Sequence, residues 1–342
     1  MSVQMMMVRD AGAPVFFRRP LIALPRAHAV GFAIAPPPPP PPPCIQFHLP
    51  IPHFSHPAPI SDKVEVRRVC RYNLKMELAI IEGMVRRGYR FASFDTEFPG
   101  TVVPSGIDRR FLSQAGPDEV YRMMRDNVNQ THIIQLGFTI SDPNGRLPVV
   151  NGAYCCWEFN FRDFDVDSDS HLRNNDSIEL LKRQGIDFDE NKRSGISSCD
   201  FALETRRSRL IELLPCLTWV TFHCSYDFGY LIRILSGEAL PDGIEEFMGL
   251  VRKYCGPSVY DLKFMIRFCP GLFGGLERVA NTLDVGRVAG SSHQAGSDSL
   301  LTLQTFFKLL SSEKDKHNHE LYEKLRDECR GILYALGSLQ YH

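Results

Sequence analysis

Hydrophobic spacing changes from a helical period to a strand period across residues 64 to 98. The stretch VEVRRVCRYNLKMELAIIEGMVRRG (64–88) carries apolar residues at helical spacing, and Gly88 is placed to end a helix. In the stretch that follows, YRFASFDTEF (89–98), the side chains change to a period of two. The pattern predicts a helix over 64–88 followed by a buried strand.

Two further strands are predicted next along the chain. NVNQTHIIQLGFTISDPNG (127–145) is typical of a strand that is closed by a turn at Pro143 to Gly145. GAYCCWEFNF (152–161) is typical of a third strand. Three strands in series favour an antiparallel meander.

Helices and short strands alternate in the second half of the chain. Buried strands are predicted within LTWVTFH (217–223) and PSVYDLKFMIRF (257–268), the latter with a short helix. This order predicts an α/β fold with a mixed sheet flanked by helices. The predicted helices of this half are 176–185, 201–214, 225–237, 296–313 and 321–337.

The first sixty residues differ in composition from the rest. An unbroken run of eight prolines occupies 36–43, and such a tract forms polyproline II or stays disordered. Four arginines precede it against the single acid Asp10, a bias that resembles an organelle transit peptide although serine is scarce. We predict a disordered proline-rich extension over 1–62 and one folded domain over 63–342.

Composition narrows the class of protein. Of the 342 residues, 44% are hydrophobic, which is ample for a packed core, and the formal charge of -1 gives no overall basic excess. Contacts with nucleic acid must therefore be local. The ten cysteines include no CxxC pair, which favours reduced thiols in an intracellular protein. No apolar run approaches the roughly 20 residues of a membrane span, so no membrane partner is expected.

Two acids lie within the strand at 89–98. Side chains alternate along a strand, so Asp95 and Glu97 point to the same face, together with Ser93. Their spacing alone carries no information, but two unpaired charges beside aromatic neighbours would repel and lose hydration unless a cation compensated them. Two carboxylates at this spacing can jointly hold a pair of divalent cations about 4 Å apart.

Two more acids and a histidine occur at the ends of predicted elements. Asp227 and Asp298 each fall in the first turn of a helix, with Ser225 and Ser297 as possible caps, and His293 lies on the loop before Asp298. An acid at a helix start is by itself favoured by the macrodipole. Together, four carboxylates and one histidine suit two-metal hydrolysis of a phosphodiester, with histidine taking the proton of a water.

Two other functions are excluded by sequence. The run FRDFDVDSDS (161–170) has acids at the opening spacing of a calcium loop, but Ser168 replaces the turn glycine and Asn174 the bidentate glutamate. An aspartic protease is excluded because glutamate follows the Asp-Thr pair of the strand and no second such site occurs.

Three motifs resemble a known nuclease family. FDTEFPG (94–100), YDFGYL (226–231) and HQAGSDSLLT (293–302), in this order, are similar to the exonuclease motifs of the DEDDh ribonucleases, and specifically of CAF-type poly(A) deadenylases of a plant-like kind. Stretches such as WEFNFRDF (157–164) add to the resemblance, which runs from about Val64 to Gly337. It implies an RNase H-like fold, the DEDD exonuclease fold, for a ribonuclease domain over 63–342.

The resemblance also implies roles for individual side chains. Two divalent cations, Mg²⁺ or Mn²⁺, would be held by the four acids, and His293 would act as general base. Phe98 is a weak candidate for contact with substrate. The residues implied as metal ligands are Asp95, Glu97, Asp227 and Asp298.

The implied function is 3′-to-5′ removal of AMP from mRNA poly(A) tails. The implied partners are poly(A) RNA, a helical scaffold and a second nuclease of a deadenylation complex. Cytoplasm and nucleus are the expected locations, with an organelle address left open by the arginine-biased extension. The alternatives are a catalytically silent adaptor of that complex and a related DEDDh exonuclease with another nucleic-acid substrate.

The sequence departs from the family pattern at several positions. Ser225, preceded by Cys224, stands where the family usually has glycine, which leaves the turn before Asp227 in doubt. Cys70 replaces a frequent tryptophan and Ala335 a usual glycine, and both changes concern docking surfaces more than chemistry.

Overall fold

The computed structural model describes residues 61–104, 115–315 and 319–339. The predicted proline-rich extension lies outside these residues, apart from Ser61 and Asp62, and it therefore stays a prediction.

The described residues form one nine-stranded mixed sheet. Its order is β1, β5, β3, β2, β6, β7, β8, β9, and β4 pairs with β5. The antiparallel pairs β2–β3 and β3–β5 are the predicted meander, while β1–β5, β2–β6, β6–β7 and β7–β8 are parallel. The predicted mixed sheet is confirmed. The strands are β1 (Ser61–Val69), β2 (Phe91–Glu97), β3 (Gln135–Ser141), β4 (Val149–Val150), β5 (Ala153–Asn160), β6 (Thr218–Thr221), β7 (Val259–Asp261), β8 (Ile332–Leu333) and β9 (Gly337–Ser338).

Helices cover both faces of the sheet. None of the described helices is long and apolar enough to cross a membrane. Short 3-10 turns follow at Leu214–Cys216 and Ile266–Phe268, and a π turn at Lys324–Glu328. The helices are α1 (Leu74–Arg86), α2 (Pro117–Gln130), α3 (Asn175–Arg183), α4 (Phe188–Ser194), α5 (Ser198–Arg207), α6 (Leu210–Leu213), α7 (Ser225–Ser236), α8 (Ile244–Cys255), α9 (Leu262–Met265), α10 (Leu276–Thr282), α11 (Ala295–Asp315) and α12 (His319–Glu323).

The two faces of the central strands differ in chemistry. One face carries large apolar side chains such as Phe94, Phe138 and Trp157, which lie in a cross-strand row and belong to the main core. Burying aromatic side chains of this size is the dominant stabilising term of such a core. The opposite face carries small and polar side chains, so a helix can approach it closely only through matching hydrogen bonds.

Helix α11 makes that approach. Ser93 of β2 donates its hydroxyl to the carbonyl of Ser299 at 2.6 Å, and the hydroxyls of Thr139 and Ser299 lie 2.8 Å apart. Gly137 of β3 lies beneath the start of α11, and a Cβ there would overlap the backbone of Ala295. The absence of a side chain at Gly137 thus sets how near α11 lies to the sheet.

Several predicted elements are wrong at their ends. Residues 61–69 form β1, and the helix starts only at Leu74, because Val64, Val66 and Val69 pair with β5 in parallel. The predicted helix over 201–214 breaks at Arg209, which has a left-handed backbone with φ of 61°.

The predicted helix over 321–337 also ends early. Its second part forms the hairpin β8–β9, because Gly331 donates its N–H to Val259 and Ile332 pairs with Tyr260. Ala335 lies in the turn of this hairpin with φ of 64°, a conformation that favours glycine. Helices α2, α4, α8 and α10 were not predicted.

We expect Gly137→Ala to destabilise the protein by about 3 kcal/mol or more, because the new methyl group forces α11 away from the sheet. Urea denaturation measures the change. Gly83→Ala is the matched control: it lies in α1 with open space at its Cβ and should stabilise the helix by about 0.5–1 kcal/mol. Equal unfolding midpoints for Gly137→Ala and the wild type would contradict the close approach.

Candidate metal-dependent active site

The acids of β2 lie where the polar face of the sheet meets the start of α11. Ser93 of β2 points to α11. Side chains alternate along a strand, so Asp95 and Glu97, two and four residues further on, project from the same face of the sheet. Glu97 is buried and Asp95 partly exposed. The predicted common direction of the two carboxylates is therefore confirmed.

Asp298 and His293 come together at the start of α11. Asp298 lies in the first turn, as predicted, and its Oδ2 accepts the backbone N–H of His293 at 2.8 Å. The other oxygen, Oδ1, accepts from Arg287 at 2.7 Å. His293 has φ of 58°, a left-handed backbone that this hydrogen bond helps to hold, and its imidazole is exposed.

The predicted serine caps are wrong. Helix α7 begins at Ser225 itself, with Cys224 at the cap position and without a side-chain cap. Helix α11 begins two residues before Ser297, whose hydroxyl donates to the carbonyl of Ala289 at 2.5 Å. The left-handed residue of the turn before α7 is His223 (φ 63°), so a side chain at 225 does not strain it.

Asp227 is held by the strand that carries the other acids. It lies in the first turn of α7, as predicted, and its Oδ1 accepts the backbone N–H of Thr96 at 2.8 Å and the Thr96 hydroxyl at 2.6 Å. Thr96 stands between Asp95 and Glu97 in sequence. The contact fixes the Asp227 carboxylate beside the edge of β2.

Repulsion among these acids is visible in their pKa values. Burial and then the charges of Asp227, Asp298 and Glu97 raise the pKa of Asp95 well above its usual range. Burial raises the pKa of Glu97 strongly as well, and that of Asp227 to about 7. Burial also raises the pKa of Asp298, against the lowering effect of Arg287. All four carboxyl groups resist ionisation without a compensating charge.

The residues fit divalent cations. One ligand atom each of Glu97, His293 and Asp298 lie within 4.8 Å of one another. Asp227 lies beside this group through its hydrogen bonds to Thr96, and the charges of Asp227, Asp298 and Glu97 all raise the pKa of Asp95. Carboxylate oxygens are the ligands that Mg²⁺ and Mn²⁺ prefer, and a bound cation would relieve the repulsion that raises these pKa values.

Asp261 is a supporting residue that sequence reasoning missed. Its carboxylate is fully buried at the end of β7 and accepts the N–H of His223 at 2.9 Å, of Lys263 at 2.9 Å and of Tyr334 at 3.0 Å. The thiol of Cys224 also points to it at 3.2 Å. Asp261 therefore fixes the turn that leads to Asp227 and ties it to the hairpin β8–β9.

Arg287 and Glu158 were missed as well. Arg287 bridges Asp298 and Glu277, each at 2.7 Å, and only 13% of its side chain is exposed. Glu158 is buried in the cross-strand row of Asp95 and Gly137, and burial raises its pKa. Neither residue stands out in the sequence. Glu158 meets the site only through the pairing of β5, β3 and β2, and Arg287 only through its hydrogen bond to Asp298.

Phe98, the weak candidate for substrate contact, packs against the core. Its ring stacks on Tyr226 with centroids 5.1 Å apart and an interplanar angle of 8°, and Tyr230 lies at 5.1 Å. Phe98 is half-buried, so its open edge alone is left for substrate.

The acid-rich loop at 161–170 is neutralised from within the protein. Lys192 bridges Asp165 at 2.9 Å and Asp167 at 3.1 Å. A lysine thus stands between the acids where a calcium loop would place its ion.

Comparisons with known proteins point to a family of ribonucleases. Residues 69–213 match the model of the CAF1 family of ribonucleases. Probable CCR4-associated factor 1 homolog 7 of Arabidopsis thaliana is 42% identical over 279 residues, which cover 81% of this chain and 94% of that protein. Poly(A) ribonuclease pop2 of Schizosaccharomyces pombe is 38% identical over 292 residues, which cover 84% of this chain and 81% of that protein.

Solved structures share the fold. The Mg²⁺- and Mn²⁺-bound form of S. pombe Pop2p has a TM-score of 0.68 at 35% identity, covering 79% of this chain and 99% of its own. A chain in the structure of the yeast NOT1 MIF4G domain co-crystallized with CAF1 has a TM-score of 0.61 at 29% identity, with 82% and 100% covered. The predicted RNase H-like fold is confirmed.

We expect the metal-free protein to lose stability as the pH rises from about 4 to about 7. The pKa of Asp227 is about 7 in the folded chain against 3.8 as its ordinary value, so the folded state binds more protons in this window. For each such proton, the free energy of unfolding falls by about 1.4 kcal/mol per pH unit across the window.

Thermal unfolding in EDTA measures this loss, and added Mn²⁺ should reverse it. Asp227→Asn is the control, because it removes one of the four groups with a raised pKa and should make the loss of stability with pH smaller. A melting temperature that rises with pH across the window would contradict the raised pKa values.

We expect Asp261→Asn to destabilise the protein by about 2–4 kcal/mol. In the wild type, backbone N–H groups donate to the Asp261 carboxylate, and in the variant the NH2 group of asparagine would face one of these donors. The substitution should also weaken Mn²⁺ binding, since the turn before Asp227 loosens. Asp163→Asn is matched: Asp163 accepts from the N–H and hydroxyl of Ser198, away from the site, and its variant should keep the Mn²⁺ affinity. Unchanged Mn²⁺ affinity in Asp261→Asn would remove its supporting role.

Proposed function

Because the chain belongs to the CAF1 family of ribonucleases, we propose that it is a 3′-to-5′ exoribonuclease that shortens mRNA poly(A) tails by hydrolysis and releases 5′-AMP. The observation that carries the proposal is the gathering of four carboxyl groups and one exposed histidine at the carboxyl end of β2.

Two divalent cations are proposed to complete this site. Asp95, Glu97, Asp227 and Asp298 would hold them, in line with the Mg²⁺- and Mn²⁺-bound form of S. pombe Pop2p. When bound, such cations lower the pKa of a water and stabilise charge on phosphate oxygens. The four carboxylates would position both ions. Thr96 holds the carboxylate of Asp227, and Arg287 and the N–H of His293 hold that of Asp298.

His293 is proposed as the general base. Its imidazole is exposed beside Glu97 and Asp298, while its backbone is fixed through the Asp298 carboxylate. An exposed imidazole can accept a proton from a water and pass it on to solvent. This placement suits removal of a proton from an attacking water.

Poly(A) is proposed as the substrate. The S. pombe relative is named a poly(A) ribonuclease, and it is similar to this chain over most of both lengths. The open edge of Phe98, next to Glu97 and stacked on Tyr226, offers an aromatic contact for a base at the 3′ end.

The proposed setting is a deadenylation complex that promotes mRNA decay. Yeast CAF1 was co-crystallized with the NOT1 MIF4G domain, which supports a scaffold partner here. A second nuclease of the complex, and action in cytoplasm and nucleus, belong to the same proposal. An organelle address through the arginine-biased extension is the less favoured location.

We expect the wild-type protein with Mg²⁺ or Mn²⁺ to shorten a 5′-labelled RNA that ends in a poly(A) tail, in a ladder that slows at non-A sequence. Asp95→Ala/Glu97→Ala should abolish the ladder, because the cations lose two ligands. His293→Ala should slow the reaction by roughly 10²- to 10⁴-fold if His293 is the general base. Denaturing gels of time courses measure these rates.

Asp165→Ala is the matched control, since it removes a partly exposed acid outside the site and should keep the wild-type rate. EDTA should stop the reaction. Equal rates of tail shortening in the wild type and in Asp95→Ala/Glu97→Ala would contradict the proposed active site. No shortening by well-folded wild type with either metal would favour the silent adaptor, and cleavage of DNA or of non-A RNA at equal rates would favour another exonuclease substrate.

A further inference from the structure

A surface of aromatic and basic side chains continues from the site along the edge of the sheet. The parallel strands β2, β6 and β7 end at one edge of the sheet, where ligands of open α/β sheets bind. Asp95 and Glu97 occupy the end of β2. Beyond the ends of β6 and β7 lies what we call the aromatic-basic surface, made of Phe222, Lys263, Phe273 and Arg278.

Phe273 and Arg278 form its outer part. Phe273 is 56% exposed, which is unusual for so large an apolar side chain. The guanidinium carbon of Arg278 lies 3.8 Å from the centre of the Phe273 ring, and Arg278 is itself exposed. A cation stacked on an aromatic ring leaves both a positive charge and a flat apolar surface facing solvent.

Lys263 joins this part to the turn that carries Asp227. Its ammonium donates to the carbonyl of Gly274 at 2.5 Å and lies 5.7 Å from the ring of Phe222. Its backbone N–H binds Asp261, the carboxylate that also fixes His223. The aromatic-basic surface is therefore anchored to the same residue that positions the turn before Asp227.

The other side of the surface connects to Asp298. Glu277, next to Arg278 in α10, accepts from Arg287, and the same guanidinium group donates to Asp298. Each of these two hydrogen bonds is 2.7 Å long, so α10 lies close beside the metal-binding acids. The surface is thus contiguous with the site at two points.

We propose that the aromatic-basic surface binds the single-stranded RNA that lies 5′ of the nucleotide being removed. This inference rests on the proposed function, because a 3′-to-5′ exonuclease holds its 3′ end at the metal site while the rest of the strand passes outside. Base stacking on Phe273 and phosphate contacts by Arg278 and Lys263 supply the binding. Stacking tolerates any base, so the surface adds affinity without selecting adenine.

The composition of the surface favours RNA over a protein partner. Proteins that bind single strands combine aromatic side chains for stacking with cations along the backbone, and Arg and Lys lie over aromatic rings here. The chain has no overall basic excess, with a formal charge of -1, so a local basic surface beside the site is where phosphates can be held.

The test compares long and short substrates. For a long oligoadenylate, Phe273→Leu should raise KM by about 5- to 30-fold with kcat unchanged, the loss expected for one stacked base. For triadenylate, KM should rise less than for the long substrate, because a shorter strand leaves fewer nucleotides outside the metal site to stack on Phe273. Phe273→Tyr keeps an aromatic ring and should retain the wild-type KM on both substrates.

Tyr72→Leu is the matched control. Arg71 lies over the ring of Tyr72 at 4.7 Å and Tyr72 is 74% exposed, but the pair lies in the turn before α1, a helix that packs on the apolar face of the sheet. Tyr72→Leu should keep the wild-type KM for the long oligoadenylate. A rise equal to that of Phe273→Leu would mean that exposed aromatic rings bind RNA indiscriminately, and the proposal would fail.

A binding measurement separates this proposal from the proposed function. Fluorescence anisotropy of labelled oligoadenylate in Ca²⁺, with a gel to show that the RNA stays intact, reports affinity without turnover. Arg278→Gln should lower the slope of log affinity against log salt by about 0.7, the value for one phosphate contact of a single strand.

If wild type shortens RNA but Phe273→Leu and Arg278→Gln match it in KM, affinity and salt slope, the aromatic-basic surface does not bind RNA and a protein partner is its remaining use. If wild type shortens no RNA at all, the proposed function fails, whatever the anisotropy shows.

Discussion

Like-charge repulsion at the end of β2 is the constraint to which the surrounding structure responds. Asp95, Glu97, Asp227 and Asp298 share a region from which water is largely removed, and burial raises the pKa of each one. The charges of the neighbouring acids raise the pKa values of Asp95 and Glu97 further. No stable fold places such groups together unless other contacts hold them. Packing and hydrogen bonds in the rest of the fold therefore hold these acids close enough together for cations to bind between them.

Each acid outside β2 is held by a donor from a different element. Thr96 of β2 holds Asp227, and Arg287 and the N–H of His293 hold Asp298. Helix α11 in turn lies close to the sheet because Gly137 has no side chain. The Ser93 hydroxyl donates to the carbonyl of Ser299, and the hydroxyls of Thr139 and Ser299 are hydrogen-bonded to each other. The positions of the carboxylates are therefore set before any cation arrives, which lowers the cost of assembling the site.

Local patterns in the sequence predicted the parts of the site that are locally determined. Alternation along β2 gives the common direction of Asp95 and Glu97, and helix starts give the places of Asp227 and Asp298. The strand β1 and the hairpin β8–β9 were missed, because both depend on pairing with distant strands, β5 and β7. Asp261 was missed for the same reason, because its partner Tyr334 lies 73 residues further along the chain. Arg287 was missed because its contact with Asp298, 11 residues away, depends on the path of the loop before α11.

The contact between Asp261 and Tyr334 has a consequence for biosynthesis. Asp261 fixes the turn before Asp227, and one of its hydrogen bonds comes from the hairpin at 332–338, which is made long after β2 has left the ribosome. A nascent chain that stops short of this hairpin lacks part of the support of the Asp227 turn. The hydrogen bonds that fix the turn before Asp227 are thus completed only after synthesis has passed these residues.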